Sequence, residues 1–164
     1  MKEAVLVVIK PDGMKKGIAG VVIDRFLKSQ LKLIAMKAVE VTRALAEDHY
    51  QQIKGKPFFA GTVRHMMGEI HGQKQVIAFI LCGNNAVKKC RETTGATNPE
   101  DAHPQSIRGA FGRVTTKGIY ENIVHASSSS EEAEREIKLW FSPDEIAEEI
   151  YPTRAVNTKK RIWL

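Results

Sequence analysis

The chain has only two cysteines in 164 residues, Cys82 and Cys90, with no CxxC and no paired histidines beside them. That excludes a disulfide framework and gives no sign of a zinc site; the pair reads as two reduced thiols in a helix-forming region. Long apolar runs are also absent. The N-terminal MKEAVLVVIKPDG is apolar only over residues 4 to 9 before Lys10, too short for a secretory h-region or for the ~20 residues of a membrane span. The expectation is a cytoplasmic protein with no membrane partner. Neither GxxxxGK[ST] nor GxGxxG occurs, so neither well-known phosphate-binding loop is available, and Gly13, Gly17 and Gly20 in GMKKGIAG read as a turn and a helix entry. There is no internal repeat, and no linker divides the chain.

What is present is an ordinary globular composition, 43% hydrophobic and 27% charged, at a length that suits one domain over residues 1–164. The net charge of +6 is compatible with a nucleic-acid partner, a phosphate-rich small ligand, or solubility alone. Part of the excess belongs to a basic C-terminal tail at about 152–164, which carries Arg154, Lys159, Lys160 and Arg161 without an acidic residue. That tail reads as a solvated segment or an arm on a neighbouring subunit.

AVLVVI at residues 4 to 9 is a buried strand with Lys10 at its exit and a turn at Pro11, Asp12 and Gly13. Helical spacing predicts a helix from Ile18 to Phe26, and loose alternation a strand from Leu31 to Val41. Thr42 caps the helical TRALAEDHYQQI; a break at Gly55, Lys56 and Pro57 precedes a short helix in FFAGTVRHMM. Gln75 to Leu81 is a central strand, and Asn84 caps a helix that ends at Gly95. Ala96 to Tyr120 reads as a long loop, and a loop of that length in a small domain is usually functional or held by a partner. A short strand at Ile123 to His125 and a helix from Ser130 to Trp140 follow. This order fits an α/β or α+β domain and leaves strand direction open.

The stretch ENIVHASSSSEEAEREIKLWF, residues 121 to 141, asks for an explanation. Ser128 with Glu131, or Ser129 with Glu132, matches the S-x-x-E capping box, but capping needs only one serine. Glu131 with Arg135 and Glu134 with Lys138 form i,i+4 pairs on the solvent side. Glu136 is different, because with Ala133, Ile137 and Trp140 it borders the apolar face, where a carboxylate needs a partner. His125, just before the helix, is within reach. A histidine with one ring nitrogen tied down, beside the positive end of a helix, is what an activated nucleophile requires. The ordinary alternative is a half-buried core histidine, with Glu136 paired to a lysine. Cations and hydroxyls elsewhere favour the first reading: Lys10 at a strand exit, Arg91 on a helix, Thr97 beyond its end and Arg108 in the long loop are suited to holding a polyphosphate.

Seven segments, KPDG at 10–13, HY at 49–50, PFFAG at 57–61, GATNP at 95–99, SIRGAF at 106–111, NIVHAS at 122–127 and EREIKLWF at 134–141, occur in order. On these the chain resembles the nucleoside diphosphate kinases along nearly its whole length. The resemblance implies an α+β, ferredoxin-like domain with a four-stranded antiparallel sheet covered by helices. It implies ping-pong transfer of the γ-phosphate of a nucleoside triphosphate, usually ATP, to a nucleoside diphosphate through a phosphohistidine, with Mg2+ bound with the nucleotide phosphates. His125 matches the nucleophile, with Glu136 and Ser127 orienting its ring. Lys10, Tyr50, Arg91, Thr97 and Arg108 match the phosphate-binding positions, Phe58 the aromatic under the base, and Asn122 with Lys10 the sugar contact. A homo-oligomer, hexamer or tetramer, is implied, with the long loop packing between subunits.

The chain departs from many members at Ala126 and Ser128, where Gly and Asp are common, and is longer between Arg108 and Asn122 and in MMGEIHGQKQV. The competing reading is a basic nucleic-acid-binding or assembly protein on the same fold, whose salt-dependent affinity survives loss of His125.

Overall fold

The computed structural model describes residues 2–154, so Lys159, Lys160 and Arg161 of the basic tail lie outside the described residues. Its centre is a four-stranded sheet in the order β2-β3-β1-β6, formed by β1 (Lys2–Ile9), β2 (Lys32–Glu40), β3 (Gln75–Asn84) and β6 (Val124–Ala126). Every neighbouring pair is antiparallel. This is the α+β sheet the resemblance implies, and it settles the strand direction that patterning left open.

From Ala4 to Ile9, β1 is apolar at every position because both faces of the sheet are covered there. Leu6 and Val8 pack with Ala46, Val63, Met66, Ile137 and Trp140 on one face. Val5, Val7 and Ile9 pack with Val22, Phe26, Ala86, Cys90 and Ile107 on the other. The first layer belongs to α3 (Arg43–His49), α4 (Phe59–Met66) and α7 (Ser130–Trp140); the second to α2 (Ala19–Leu27), α5 (Ala86–Thr94) and α6 (Ile107–Phe111). In β2 the register shifts between Leu33 and Ala35, and the carbonyl of Ile34 accepts the amide of Ala147, so the segment after α7 is hydrogen-bonded back to this strand.

Several expectations need correction. Pro11, Asp12 and Gly13 open a short helix, α1 (Pro11–Lys15), because proline is accepted at a first helical position. The N-cap of α5 is Asn85, not Asn84, which ends β3; Asn85 is left-handed (φ 54°) and makes no side-chain cap bond. Cys82 lies in β3, so only Cys90 is in a helix. The stretch from Ala96 to Tyr120 is not structureless: it holds a 3-10 turn at Pro99–Asp101, α6, and a hairpin of β4 (Arg113–Val114) and β5 (Tyr120–Glu121). Two devices fold it. Ser106 caps α6 by accepting the Gly109 amide at 3.2 Å, and Arg113 pairs with Glu121 across the hairpin at 2.5 Å.

Gly95, which ends α5 at φ 87°, has no substitute, since a Cβ there would come within 2.2 Å of the Ser106 hydroxyl. Ile123 is more unusual, a fully buried β-branched residue at φ 69°. Such a conformation costs about 1–3 kcal/mol and persists only where the surroundings impose it. Here the Lys10 amide donates to the Ile123 carbonyl, and the Ile123 amide donates to the Asp12 carboxylate, both at 2.8 Å. Gly13 packs so closely against it that a Cβ would lie 3.0 Å from the Ile123 side chain and carbonyl.

Both cysteines are buried, and burial pushes the Cys90 thiol up to about 12. Native protein is therefore expected to leave both thiols unreacted with an aromatic disulfide reagent at pH 8, and to release two equivalents on unfolding in denaturant. Fast reaction of a thiol in the native state would contradict this packing.

Candidate active site

β6 pairs with β1 over only three residue pairs, Val7 with Ala126, Val8 with His125 and Ile9 with Val124. That pairing sets His125 at the sheet edge, where the chain turns into α7. The four serines that follow have separate tasks. Ser127 is fully buried; its amide donates to the Leu6 carbonyl and its hydroxyl accepts the Leu6 amide at 3.2 Å. Ser128 lines the cavity beside His125. Ser129 caps α7 through the Glu132 amide at 3.2 Å, which resolves the two capping options. Ser130 reaches the Glu3 carboxylate.

Glu136 is 1% exposed, inside the core-facing side of α7 as its position suggested. Its Oε2 lies 2.9 Å from Nε2 of His125 and accepts the Ser127 hydroxyl at 2.6 Å. The His125 side chain is 16% exposed, so one edge of the ring is engaged while part of it stays accessible. The expected Glu131–Arg135 pair does not form. Arg135 donates instead to the carbonyls of Asp48 and His49 at the end of α3 and pairs with Glu132, while Glu134 does pair with Lys138.

His125 and Glu136 open onto a cavity of about 800 Å³. Lys10, Tyr50, Phe58, Arg91, Thr97, Arg108 and Asn122 all line it. Residues from seven segments of the chain thus meet in one place, with Ser127 behind them.

Lys10 is buried, and burial lowers its pKa, with Asp12 opposing and Arg108 adding to the drop. Arg108 is also buried; burial and the neighbouring Arg91 press it down to about 10. Its Nη1 donates to the Gly95 carbonyl at 3.1 Å and its Nη2 to the Val124 carbonyl at 2.9 Å, which holds the guanidinium rigid. Arg91 and Thr97 are exposed at the mouth, and Asn122 is held by a bond to the Thr97 carbonyl at 2.8 Å. Phe58 is 58% exposed and lines the cavity, so its ring is open to a ligand there. Burial pushes the Tyr50 hydroxyl well above its ordinary pKa, with the Glu136 and Asp12 carboxylates adding to the rise, so it is a neutral phenol.

The cavity therefore has a cationic end with a histidine and an apolar end with a free aromatic face. A ligand that matches it is polyanionic at one end and flat at the other. The model of the nucleoside diphosphate kinase family matches residues 3–146. The chain belongs to that family.

A nucleoside diphosphate kinase of Pyrococcus furiosus is 44% identical over 146 residues, which are 89% of this chain and 87% of that relative. Among solved structures, the nucleoside diphosphate kinase of Aquifex aeolicus superposes with a TM-score of 0.80 at 38% identity, covering 89% of this chain and 99% of that one. That of Borrelia burgdorferi, a transition-state mimic with bound vanadate and ADP, has a TM-score of 0.79 at 30% identity and 93% coverage of both chains. Like the rest of the family, the chain is a phosphotransferase, a nucleoside diphosphate kinase in activity.

Two groups near the site were not singled out by sequence reasoning. Asp12 is 1% exposed; burial alone would raise its pKa, but the Lys10 cation, the His65 ring and the Ile123 amide hold it below the ordinary carboxylate range. His49 is fully buried, with its ring centroid 4.3 Å from that of His125. Its place in the HY segment was the only available signal. His49, His125 and Glu136 cluster as metal ligands can, but Nδ1 of His49 already accepts the Trp140 indole N–H at 3.1 Å. The trio is a hydrogen-bonded and ring-packed cluster around His125.

A depressed carboxyl pKa stabilises the fold above the unfolded value and loses that contribution as pH falls toward the folded one. Asp12→Ala should therefore lower the unfolding free energy at pH 7 by about 2–4 kcal/mol in urea titrations. The difference should shrink below about pH 4, where unfolded wild type takes up a proton. An equal deficit at pH 7 and pH 3 would mean the loss is one of packing, not charge.

Proposed function

We propose that this kinase works by a ping-pong mechanism through a phosphohistidine on His125. The observation that carries the proposal is the buried Glu136 carboxylate on Nε2 of His125, which leaves Nδ1 as the nucleophilic nitrogen. The lone pair of Nδ1 attacks the γ-phosphorus of a nucleoside triphosphate, usually ATP. The bond to the bridging oxygen breaks, and the diphosphate leaves with that oxygen's electrons. The ring, protonated at Nε2 and phosphorylated at Nδ1, becomes cationic and is balanced by Glu136, which Ser127 holds in place. A terminal phosphate oxygen of a second nucleoside diphosphate then attacks the phosphorus, the bond from phosphorus to Nδ1 breaks, and its electron pair returns to the ring, restoring the neutral imidazole.

Lys10, Arg108 and Arg91 offset the charge on the transferring group; Tyr50 and Thr97 contribute hydroxyls, and Arg108 is fixed before the ligand arrives, so little reorganisation is needed. Phe58 stacks the base, which any base permits, while Asn122 and Lys10 take the sugar hydroxyls. Glu136 is the only carboxylate lining the cavity among the described residues, and His125 and Ser127 already engage it. Mg2+ fits here as an ion carried on the nucleotide phosphates, where it would supply charge neutralisation, and not as one held by protein ligands.

The nucleic-acid or assembly alternative is not favoured, because Lys10, Arg91 and Arg108 converge on a concave site beside His125 and not on an open face. No helix among the described residues is long and apolar enough to cross a membrane. A single domain and a cytoplasmic location are part of the proposal. A homo-oligomer, hexamer or tetramer, is also part of the proposal. β2 is an edge strand, and Val21, Leu27 and Met36 expose apolar surface away from the cavity.

Incubation with γ-labelled ATP and Mg2+ should give acid-labile label on the protein that is chased quantitatively by a non-adenine diphosphate. His125→Ala should take none while keeping its fold, and Glu136→Ala should turn over about 10²-fold slower. Turnover by pure His125→Ala would refute the assignment, and an unchanged Glu136→Ala rate would make that glutamate purely structural. Light scattering should give a mass four or six times the 18.3 kDa chain; a single-chain mass removes the oligomer.

A further inference from the structure

The mechanism above makes no use of the imidazole nearest to His125. His49 is 0% exposed at the end of α3, and three rings surround it nearly perpendicular to its own: Tyr50 at 4.6 Å and 73°, His125 at 4.3 Å and 81°, and Trp140 at 5.5 Å and 86°. The Trp140 indole N–H can only donate, so the His49 Nδ1 that receives it at 3.1 Å carries a lone pair, and the ring proton of the neutral form sits on Nε2. Nε2 has no hydrogen-bond acceptor among the described residues. Its own backbone is fixed as well, since Arg135 donates to the His49 carbonyl at 3.1 Å.

The charged and titratable groups around this ring come from α7, β6 and the end of α3. Glu136 and Arg135 face it from α7, with Oε1 of Glu136 4.0 Å from Nδ1, and His125 faces it from β6; Tyr50 beside it is a neutral phenol. Burial disfavours a cation here, and His125 and Arg135 disfavour it further.

We propose that His49 is a positioning residue for the transfer reaction: a neutral imidazole, locked as its Nε2–H tautomer by Trp140, that packs perpendicular to the His125 ring and keeps Glu136 committed to it. The inference rests on the phosphohistidine reading. Phosphorylation makes the His125 ring cationic, and Glu136 is its counter-charge. A protonated His49 would set a second cation one ring away and, through Nδ1, compete for Oε1 of the same carboxylate, which Arg135 already faces at 3.8 Å. By occupying the Nδ1 lone pair, the Trp140 N–H blocks that competitor. Trp140 thus acts through His49, and His49 through His125.

The test combines 15N NMR of the histidine rings with the pH dependence of phosphoenzyme formation, in wild type and Trp140→Phe. Wild-type His49 should show the neutral Nε2–H pattern from pH 8 down to about pH 5. In Trp140→Phe it should titrate at higher pH, and the acid limb of the phosphorylation rate should move up with it by about one pH unit, leaving the alkaline plateau within about three-fold of wild type. His49→Gln can still accept the indole N–H but cannot take a proton; it should lower kcat about ten-fold with KM unchanged and leave the acid limb in place. An Nδ1–H tautomer in wild type, His49 titrating near pH 6.5, or a Trp140→Phe rate profile that superimposes on wild type would each overturn the proposal. Should Trp140→Phe unfold, wild-type NMR and the His49→Gln kinetics decide alone. Failure of the phosphohistidine reading looks different: wild type then takes no label at any pH.

Discussion

One carboxylate oxygen holds this site together. Oε2 of Glu136 accepts the Ser127 hydroxyl and faces the His125 ring nitrogen, and Ser127 is bonded in turn to both backbone groups of Leu6 in the central strand. A carboxylate that is 1% exposed is tolerable only with such partners, because an unpaired buried charge costs several kcal/mol. The same requirement sets the geometry: α7 can dock on the sheet only where Glu136 meets both groups. The helix that supplies much of the apolar packing therefore also fixes the direction in which the nucleophile points. Stability and chemistry share one contact.

The cationic end of the cavity is built on a comparable economy. Asp12 balances Lys10 and also binds the Ile123 amide, so the buried ammonium is partly compensated before any nucleotide arrives. Arg108 uses two of its nitrogens on the carbonyls of Gly95 and Val124, which flank the site on either side. Arg108 is thus held by backbone and Lys10 by a carboxylate, and the site is shaped for a polyanion in advance.

How much of this could be read from the chain depends on range. β1, β3 and α7 were legible because their patterning is strong, and α7 runs from Ser130 to Trp140 as its periodicity indicated. Glu136 was legible because a carboxylate bordering an apolar stripe contradicts its surroundings. Lys10, Arg91, Thr97 and Arg108 were legible as residue types suited to a polyphosphate, and the family resemblance then supplied Tyr50, Phe58, Asn122 and Ser127, which spacing alone could not have gathered. The folding of the stretch from Ala96 to Tyr120 was not legible, since its helical turn is short and its hairpin depends on the Arg113–Glu121 pair. His49 was missed because its partner Trp140 lies 91 positions away, and the Glu131–Arg135 pairing failed because the carbonyls ending α3 compete for the same guanidinium. Local pattern does not report contacts between distant elements.

The left-handed Ile123 has a consequence for how such a sequence can drift. Its backbone conformation would suit glycine, while its buried side chain fills space that glycine would leave empty, so the two preferences oppose each other at one position. Gly13 sits against it so closely that a Cβ would lie 3.0 Å from the Ile123 side chain and carbonyl and from the Ile9 side chain. Bulk at position 13 would press on the Ile123 side chain and on the backbone that holds it left-handed. Among descendants of this sequence, position 13 should therefore stay small, recording the close approach of α1 to the turn that leads into the strand carrying His125.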